Sequence, residues 1–326
     1  MKFREEKDSM GKLNVPEDAL YGATTQRALL NFPISDLRFN RTFIKSIAEI
    51  KRCAAETNLE LGALEKNIAD EIIKAAELVS KGDYDSEFVV DIFQTGSGTS
   101  TNMNTNEVIS NVAIKNMGGI IGSRDPIHPN DHVNKGQSSN DVVPTAIHIA
   151  GCVGIVESLI PGLEKLQKSL EKKSEEFWGI IKTGRTHLQD ATPIRLGQEF
   201  LGYSGQIEES IRRAKNSLGE LSILALGGTA VGTGIGMQKG FSNKVIEKLS
   251  KRFNIKFSES PNHFHSQSTI DAIVASSGNL KTIAVSLMKI GNDIRWLGSG
   301  PRAGIGEIEL PEVQPGSSIM PVSYTH

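Results

Sequence analysis

The sequence predicts a mainly α protein, a bundle of long helices joined to a smaller mixed N-terminal domain. Three observations carry that expectation: a change of texture near residue 137, a long apolar repeat by fours and threes, and a later segment apolar on two faces. Up to residue 137, short helical patterns alternate with loops rich in Gly, Asn and Pro, as over 95–106 and 118–134. Beyond it long helices dominate, which places an N-terminal domain over 1–137 and a central helical-bundle domain over 138–321.

Within 193–224, Phe200, Ser204, Ile207, Ile211, Ala214, Leu218 and Leu221 recur by four and three, the seam of a bundle helix, while Glu208, Glu209, Arg212, Arg213 and Lys215 make its solvent face. Within 268–297, Ile273, Leu280, Ala284, Leu287 and Ile294 form one stripe and Ile283, Ile290 and Leu297 another. A helix apolar on two faces needs neighbours on both, so this pattern implies subunit association through the bundle, with a larger monomeric core as the alternative. The glycine-dense connection at 227–234 lacks the Gly-Lys-Ser/Thr ending of a phosphate-binding loop and does not point to a nucleotide.

Composition excludes several classes. The chain has 326 residues, 38% hydrophobic and 23% charged, as expected of a globular protein long enough for more than one domain. Its net charge is -2, from 36 basic and 38 acidic residues, so no global field draws it to nucleic acid or to an acidic membrane. Cys53 and Cys152 stand far apart, outside metal-ligand spacing, and read as core residues of a protein in a reducing compartment. The first residues lack an apolar signal region and are too acidic for a transit peptide, and no run of membrane-spanning length stands out. The expected compartment is the cytoplasm.

Four polar segments carry the candidate chemistry. Residues 95–107 read as a turn whose glycines expose N–H groups beside Ser97, Thr99 and several amides, or as a capped start of a helix running from Val108. Residues 136–141 repeat that recipe ahead of a helix expected near Val142, with Asn140 or Asp141 as the ordinary cap. Residues 184–193 read as a polar loop in which His187 stands near Thr186 and Arg185, suited to proton transfer near neutrality or to a structural role. The fourth is the Gly316-Ser317-Ser318 loop between prolines, whose serines could act as base only with an alkoxide stabilised by surrounding donors. Together they suit a small dianion.

The ordered runs GSGTSTNMNTNEV, HPNDHVNKGQSSND, GRTHLQDATP, SLMKIGNDIRWLGSGPRAGIGE and PGSSIMP resemble class II fumarase of the fumarase/aspartase superfamily, from about Lys7 to Pro321. Aspartases typically place Gln where this chain has His187 and Thr where it has Ser139. The resemblance implies a fumarase/aspartase-type long-helix bundle, a homotetramer whose active sites are shared between subunits, and reversible hydration of fumarate to L-malate in the tricarboxylic acid cycle without metal or organic cofactor. It implies an aci-carboxylate intermediate, with Ser317 removing the C3 proton and His187 handling the departing hydroxyl through a water. Ser97, Gly98, Thr99, Ser138, Ser139, Asn140, Thr186 and Ser318 would bind the carboxylates, and His128, Pro129, Asn130 and Asp131 would form a second dicarboxylate site. A noncatalytic helical scaffold of the same fold is the alternative.

The resemblance stops at the chain's end. Where the family continues after PGSSIMP with Gly-Lys-Val-Asn-Pro, this sequence reads Val322, Ser323, Tyr324, Thr325 and His326, expected to be a non-native tail. The expectation is therefore a truncated chain, lacking two carboxylate donors and the small C-terminal domain, and nearly inactive as written.

Overall fold

The computed structural model describes residues 2–313. The chain opens with an antiparallel hairpin, β1 (Phe3–Asp8) and β2 (Gly11–Pro16), in which Glu5 stands opposite Asn14. The helices α1 (Ala23–Asn31), α2 (Arg41–Glu60), α3 (Lys66–Lys81), α4 (Thr99–Asn116) and α5 (Ser139–Gly154) follow. α5 passes through a π-turn at Ile155–Leu159 into α6 (Ile160–Glu176), after which come β3 (Ile181–Thr186), β4 (Gln189–Arg195) and α7 (Leu196–Leu221). The rest is β5 (Ile223–Leu224), α8 (Phe241–Phe253), β6 (Ser258–Glu259), α9 (His263–Ser268) and α10 (Asp271–Leu297). The architecture is the mainly helical one that the sequence predicts.

Contacts divide the described chain into two compact units, one drawn from 2–157 and Leu218–Val274, the other from Ser158–Ser217 and 275–313. In the first, Ile44, Ala48 and Ala55 of α2, Ile68, Ile72 and Val79 of α3, and Val108, Ile109 and Val112 of α4 form one apolar cluster. Asn40 starts α2 by accepting the Phe43 N–H on its side chain at 3.0 Å, and Gly82 ends α3 in the left-handed region. Cys53 and Cys152 are free and buried, and burial pushes each thiol up to about 12, so both are inert core residues as the sequence suggests.

α4 departs from the expected pattern. It is helical from Thr99, nine residues before Val108, and it is buried on nearly all sides although it carries Asn, Thr and Glu. These residues favour turns in isolation, but here each finds a partner in the fold, and tertiary contacts override propensity. Asn104 donates to the Glu87 carbonyl at 2.9 Å, Asn111 to the Leu20 carbonyl at 2.8 Å, and Ser110 to the Ile127 carbonyl at 2.6 Å. Glu107 goes furthest: its carboxylate accepts the Gly22, Thr24 and Thr25 N–H groups at 2.9–3.0 Å and the Thr25 hydroxyl at 2.7 Å. It thereby caps α1, whose own N-terminal residue offers no side chain. A Cβ on Gly22 would stand 2.9 Å from the Glu107 carboxyl carbon, so glycine is required for that approach.

In the second unit α7 buries the predicted seam, Phe200, Ser204, Ile207, Ile211 and Ala214, and leaves Glu208, Glu209, Arg212 and Lys215 exposed. Its N-terminus is Leu196 rather than Pro193, because Pro193 to Arg195 belong to β4. α10 starts at Asp271, not Ser268, since 263–268 form the separate α9. Of its two stripes, Ile283, Ile290 and Leu297 are buried, whereas Leu280 and Leu287 are exposed, with Val285 and Met288 beside them 60% and 69% exposed. One further expectation needs correcting: the continuous helix Ser139–Glu176 contains a stretch long and apolar enough to cross a membrane by length and composition. Val142, Val143, Ala146, Ile149 and Cys152 on it are buried in protein, although only 39% of that apolar window is buried in all.

Candidate functional site

The starts of α4 and α5 lie side by side. The turn before α4 closes with the Gly98 N–H on the Thr95 carbonyl at 2.9 Å, and Gly98 at φ +67° redirects the chain into the helix. A Cβ there would come within 2.7 Å of Val143 Cγ1, which shows how tightly this turn sits on α5. Ser97 and Thr99 are exposed, their hydroxyl oxygens 2.8 Å apart. From the first turn of α4, Asn102 donates through Nδ2 to Ser139 Oγ at 3.0 Å. Two helix N-termini, each a positive dipole end, thus stand beside exposed hydroxyls.

α5 begins at Ser139, three residues before the expected Val142. The reason is a reciprocal cap: Ser138 Oγ accepts the Asn140 N–H at 3.3 Å, and Asp141 accepts the Ser138 N–H at 2.9 Å. The N-cap is therefore Ser138, with Asp141 as its partner inside the helix, rather than Asn140 or Asp141. The other oxygen of the fully buried Asp141 accepts the Gly227 and Thr229 N–H groups at 3.1 and 3.0 Å, and Asn140 Nδ2 donates to the Ala230 carbonyl at 2.7 Å. The glycine-dense connection is thus folded onto the start of α5. Burial raises the Asp141 carboxyl above its ordinary value, against the lowering effect of those backbone donors.

Lys51 of α2 lies behind these residues and is fully buried. Its ammonium donates to Asn134 Oδ1 at 2.7 Å and Gln137 Oε1 at 3.1 Å, and Asn134 Oδ1 also accepts from Asn102 Nδ2 at 3.3 Å. Burial pushes the Lys51 ammonium down to about 7, with Asp141 acting in the opposite sense. Sequence reasoning missed Lys51, Asn102 and Asn134 as members of the site. Asn102 lies in a polar run already singled out, but nothing local in the sequence of α2 distinguishes Lys51 from a solvent-facing lysine.

Thr186 and His187 belong to the second unit. The expected polar loop at 184–193 is instead the β3–β4 hairpin, Arg185 opposite Asp190 and Thr186 opposite Gln189. His187 and Leu188 are its two-residue tip, at φ +51° and +60°, the left-handed pair that matches the twist of an antiparallel hairpin. His187 is consequently exposed. The hairpin is anchored at its other end, where Lys182 Nζ reaches both Glu199 carboxylate oxygens at 2.8 Å and also pairs with Glu307. Arg185 donates to Glu307 at 2.7 Å. Burial alone would raise the Glu307 carboxyl, but the bonds from Arg185 and Lys182 outweigh it and hold the group below its ordinary value.

His128 caps the π-helical turn Pro129–Val133: its Nδ1 accepts the Asp131 N–H at 3.2 Å, and its own N–H donates to His132 Nδ1 at 2.8 Å. Pro129 is buried, while Asn130 and Asp131 are exposed. Ser317 and Ser318 lie outside the described residues. The structure thus brings Ser97, Gly98, Thr99, Ser138, Ser139 and Asn140 together in one unit and sets Thr186 and His187 on a hairpin of the other. The first group is a cradle of hydroxyl, amide and helix-start donors suited to a carboxylate.

A family model described as a lyase matches residues 11–322 of this chain. A class II fumarate hydratase of Rickettsia bellii is 51% identical over 319 residues, covering 98% of this chain and 69% of that protein. The mitochondrial fumarate hydratase of Danio rerio is 53% identical over 321 residues, covering 98% of this chain but 63% of its own length. The crystal structure of the class II fumarase of Schistosoma mansoni superposes with a TM-score of 0.95 at 40% identity, covering 98% of this chain and 70% of that one. The chain thus spans roughly two thirds of the length of the proteins it matches. On the ordered helices, the paired helix starts and this near-complete match, the chain belongs to the lyase family, among its class II fumarate hydratases.

Proposed function

We propose that this chain carries most of a subunit that adds water reversibly to fumarate, giving L-malate. The observation that supports the reading best is the cradle at the starts of α4 and α5, where Asn102 supplies a hydrogen to Ser139 and leaves the serine hydroxyl free to donate outward. A dicarboxylate held there by Ser97, Thr99, Ser138, Ser139 and Asn140 is bound without a fixed side-chain cation, which suits a carboxylate that must accept charge as the C3 proton leaves. In this scheme Ser317 removes that proton, Thr186 and Ser318 hold the substrate, and His187 protonates the departing hydroxyl through a water. Residues 128–131 form a second dicarboxylate site. The N-terminal domain over 1–137 and the bundle domain from 138 onward work in a homotetramer whose sites are shared between subunits. Exposed apolar side chains on α10, among them Leu280, Val285 and Met288, support that association. The cytoplasm and the tricarboxylic acid cycle are the expected setting.

The test is fumarate formation from L-malate, followed by ultraviolet absorbance, with this chain and with the same chain extended by the C-terminal part of the Rickettsia bellii relative. We expect activity in the extended protein, and a loss of about 10²- to 10⁴-fold in kcat for His187→Asn. An extended, folded tetramer that binds malate but does not dehydrate it sinks the hydratase reading in favour of a binding scaffold.

A further inference from the structure

We propose that Lys51 is a positioning residue for the carboxylate cradle: its buried ammonium fixes the direction of a chain of hydrogen bonds through Asn134 and Asn102 that leaves the Ser139 hydroxyl pointing its proton at the substrate. This inference rests on the function proposed above, and it assigns a role to a residue remote in sequence from every polar segment.

The direction follows from what each group can do. An ammonium donates and never accepts, so at a pH below about 7, where Lys51 is protonated, the Asn134 amide facing it at 2.7 Å must present its oxygen. That oxygen also stands 3.3 Å from the Asn102 side chain, so Asn102 must turn its nitrogen toward it. The same Asn102 nitrogen lies 3.0 Å from Ser139 Oγ, which must then accept. A hydroxyl that accepts on one side keeps its single proton for another partner. The reverse arrangement would set Asn102 Oδ1 against the Asn134 oxygen. In the structure that Oδ1 is buried with no hydrogen-bond partner, so Asn102 holds its orientation through its nitrogen alone. Two further contacts brace the assembly: Lys51 also donates to Gln137 Oε1 at 3.1 Å, and Asn134 Nδ2 donates to the Gln137 carbonyl at 3.2 Å, immediately before the Ser138 cap. Lys51 therefore holds both the strut behind Ser139 and the turn that leads into it.

Without the ammonium, only the 3.2 Å bond from Asn134 Nδ2 to the Gln137 carbonyl holds that amide, and Asn134 flips in part of the molecules. Asn102 then loses the acceptor that fixes it, and Ser139 turns its proton inward in part of the molecules. Lys51→Met retains length and apolar packing while removing only the donor.

Two measurements separate this proposal from the function on which it rests. The first needs no activity: side-chain amide NMR of the chain with ¹⁵N-labelled asparagine, comparing wild type with Lys51→Met. The proposal expects the Asn134 and Asn102 amide resonances both to move while the backbone spectrum stays folded; a shift confined to Asn134 overturns it, whatever the protein catalyses. If Lys51→Met does not fold, Asn134→Asp, whose carboxylate can only accept from Asn102, is expected to keep the Asn102 side-chain amide protons as protected from solvent exchange as in wild type, and loss of that protection overturns the direction assigned. The second is a double-mutant cycle on malate KM in the extended protein. Lys51→Met alone should raise KM by about tenfold, but add little in a Ser139→Ala background, because both changes remove the same donor. Additive losses would show that Lys51 acts on overall stability and not through Ser139.

Discussion

Two helices invert the usual relation between hydropathy and burial. α4 carries Thr101, Asn102, Asn104, Thr105, Asn106 and Glu107 in succession around its first turns and buries them all, while α10 carries Val274, Leu280, Val285, Met288 and Trp296 and leaves them exposed. The difference lies in what each face meets. Most polar groups inside α4 are matched, a carboxylate to a helix start, amides of Asn104 and Asn111 to carbonyls, a serine to a backbone oxygen, although Asn102 Oδ1 and Asn106 Oδ1 are buried without a partner. Their burial stabilises because the partners are already in place. On α10 one stripe is covered and the other is half-buried to exposed, so part of its apolar surface contributes little to the stability of the chain by itself. The polar helix is held inside by its partners, and the apolar helix leaves one side exposed.

The strongest way to break this comparison is to remove a polar partner from the interior. Glu107→Ala leaves the Gly22, Thr24 and Thr25 N–H groups without their acceptor, and we expect a loss of about 3–5 kcal/mol in urea unfolding. A loss below about 1 kcal/mol would mean that water replaces the carboxylate and that the interior of α4 is not matched as described.

Next comes the contrast within α10. Ile283→Ala on the covered stripe should cost about 2–4 kcal/mol, whereas Val285→Glu two residues later should change the stability of a single subunit by less than about 0.5 kcal/mol. Sedimentation of the Val285→Glu variant of the extended protein should show weaker association than wild type. Unchanged assembly would place the exposed stripe outside the subunit interface.

A smaller effect is expected at the start of α5. Ser138→Ala removes one half of the reciprocal cap and should cost about 1 kcal/mol. It should also weaken malate binding in the extended protein, since the same turn carries Ser139 and Asn140.

The smallest is a slope with pH. His148 donates from Nδ1 to the Leu221 and Ile223 carbonyls at 3.2 and 2.9 Å, and burial holds it below its ordinary 6.5 despite those bonds; burial lowers His132 in the same way. Both imidazoles resist protonation in the folded chain, while the unfolded chain takes up protons at the ordinary value. Acidification through 6.5 therefore favours unfolding, and stability contributed by these groups is recovered as pH rises above it. The urea midpoint should fall as the pH is lowered through that window, and His148→Gln should flatten the fall. A midpoint that rises on acidification would contradict the sign.

The sequence was most legible where a period repeated. The seam from Phe200 to Ala214 and the two stripes of α10 follow from spacing alone, because a helix must place residues three and four apart on one side. Reading failed where polar residues were involved. Runs of Asn, Thr and Ser signal turns by themselves, so the first eight residues of α4 looked like loop, and the reciprocal cap at Ser138 was displaced by two or three residues. His187 stands out in the sequence only as a histidine among polar neighbours, and its hairpin is not legible there: Thr186 and Gln189 pair through the backbone, which a polar sequence does not announce.

What the sequence determined by itself is the helical architecture, the family and the identity of the polar segments, since periodicity and ordered motifs are properties of one dimension. What only the tertiary structure decided is how those segments are supported. Lys51 is separated by 83 residues from Asn134 and Glu107 by 82 from Thr25, and nothing local marks either pair. A buried charge is tolerable only beside partners that the fold delivers from far along the chain, so its role becomes visible when those partners are in place.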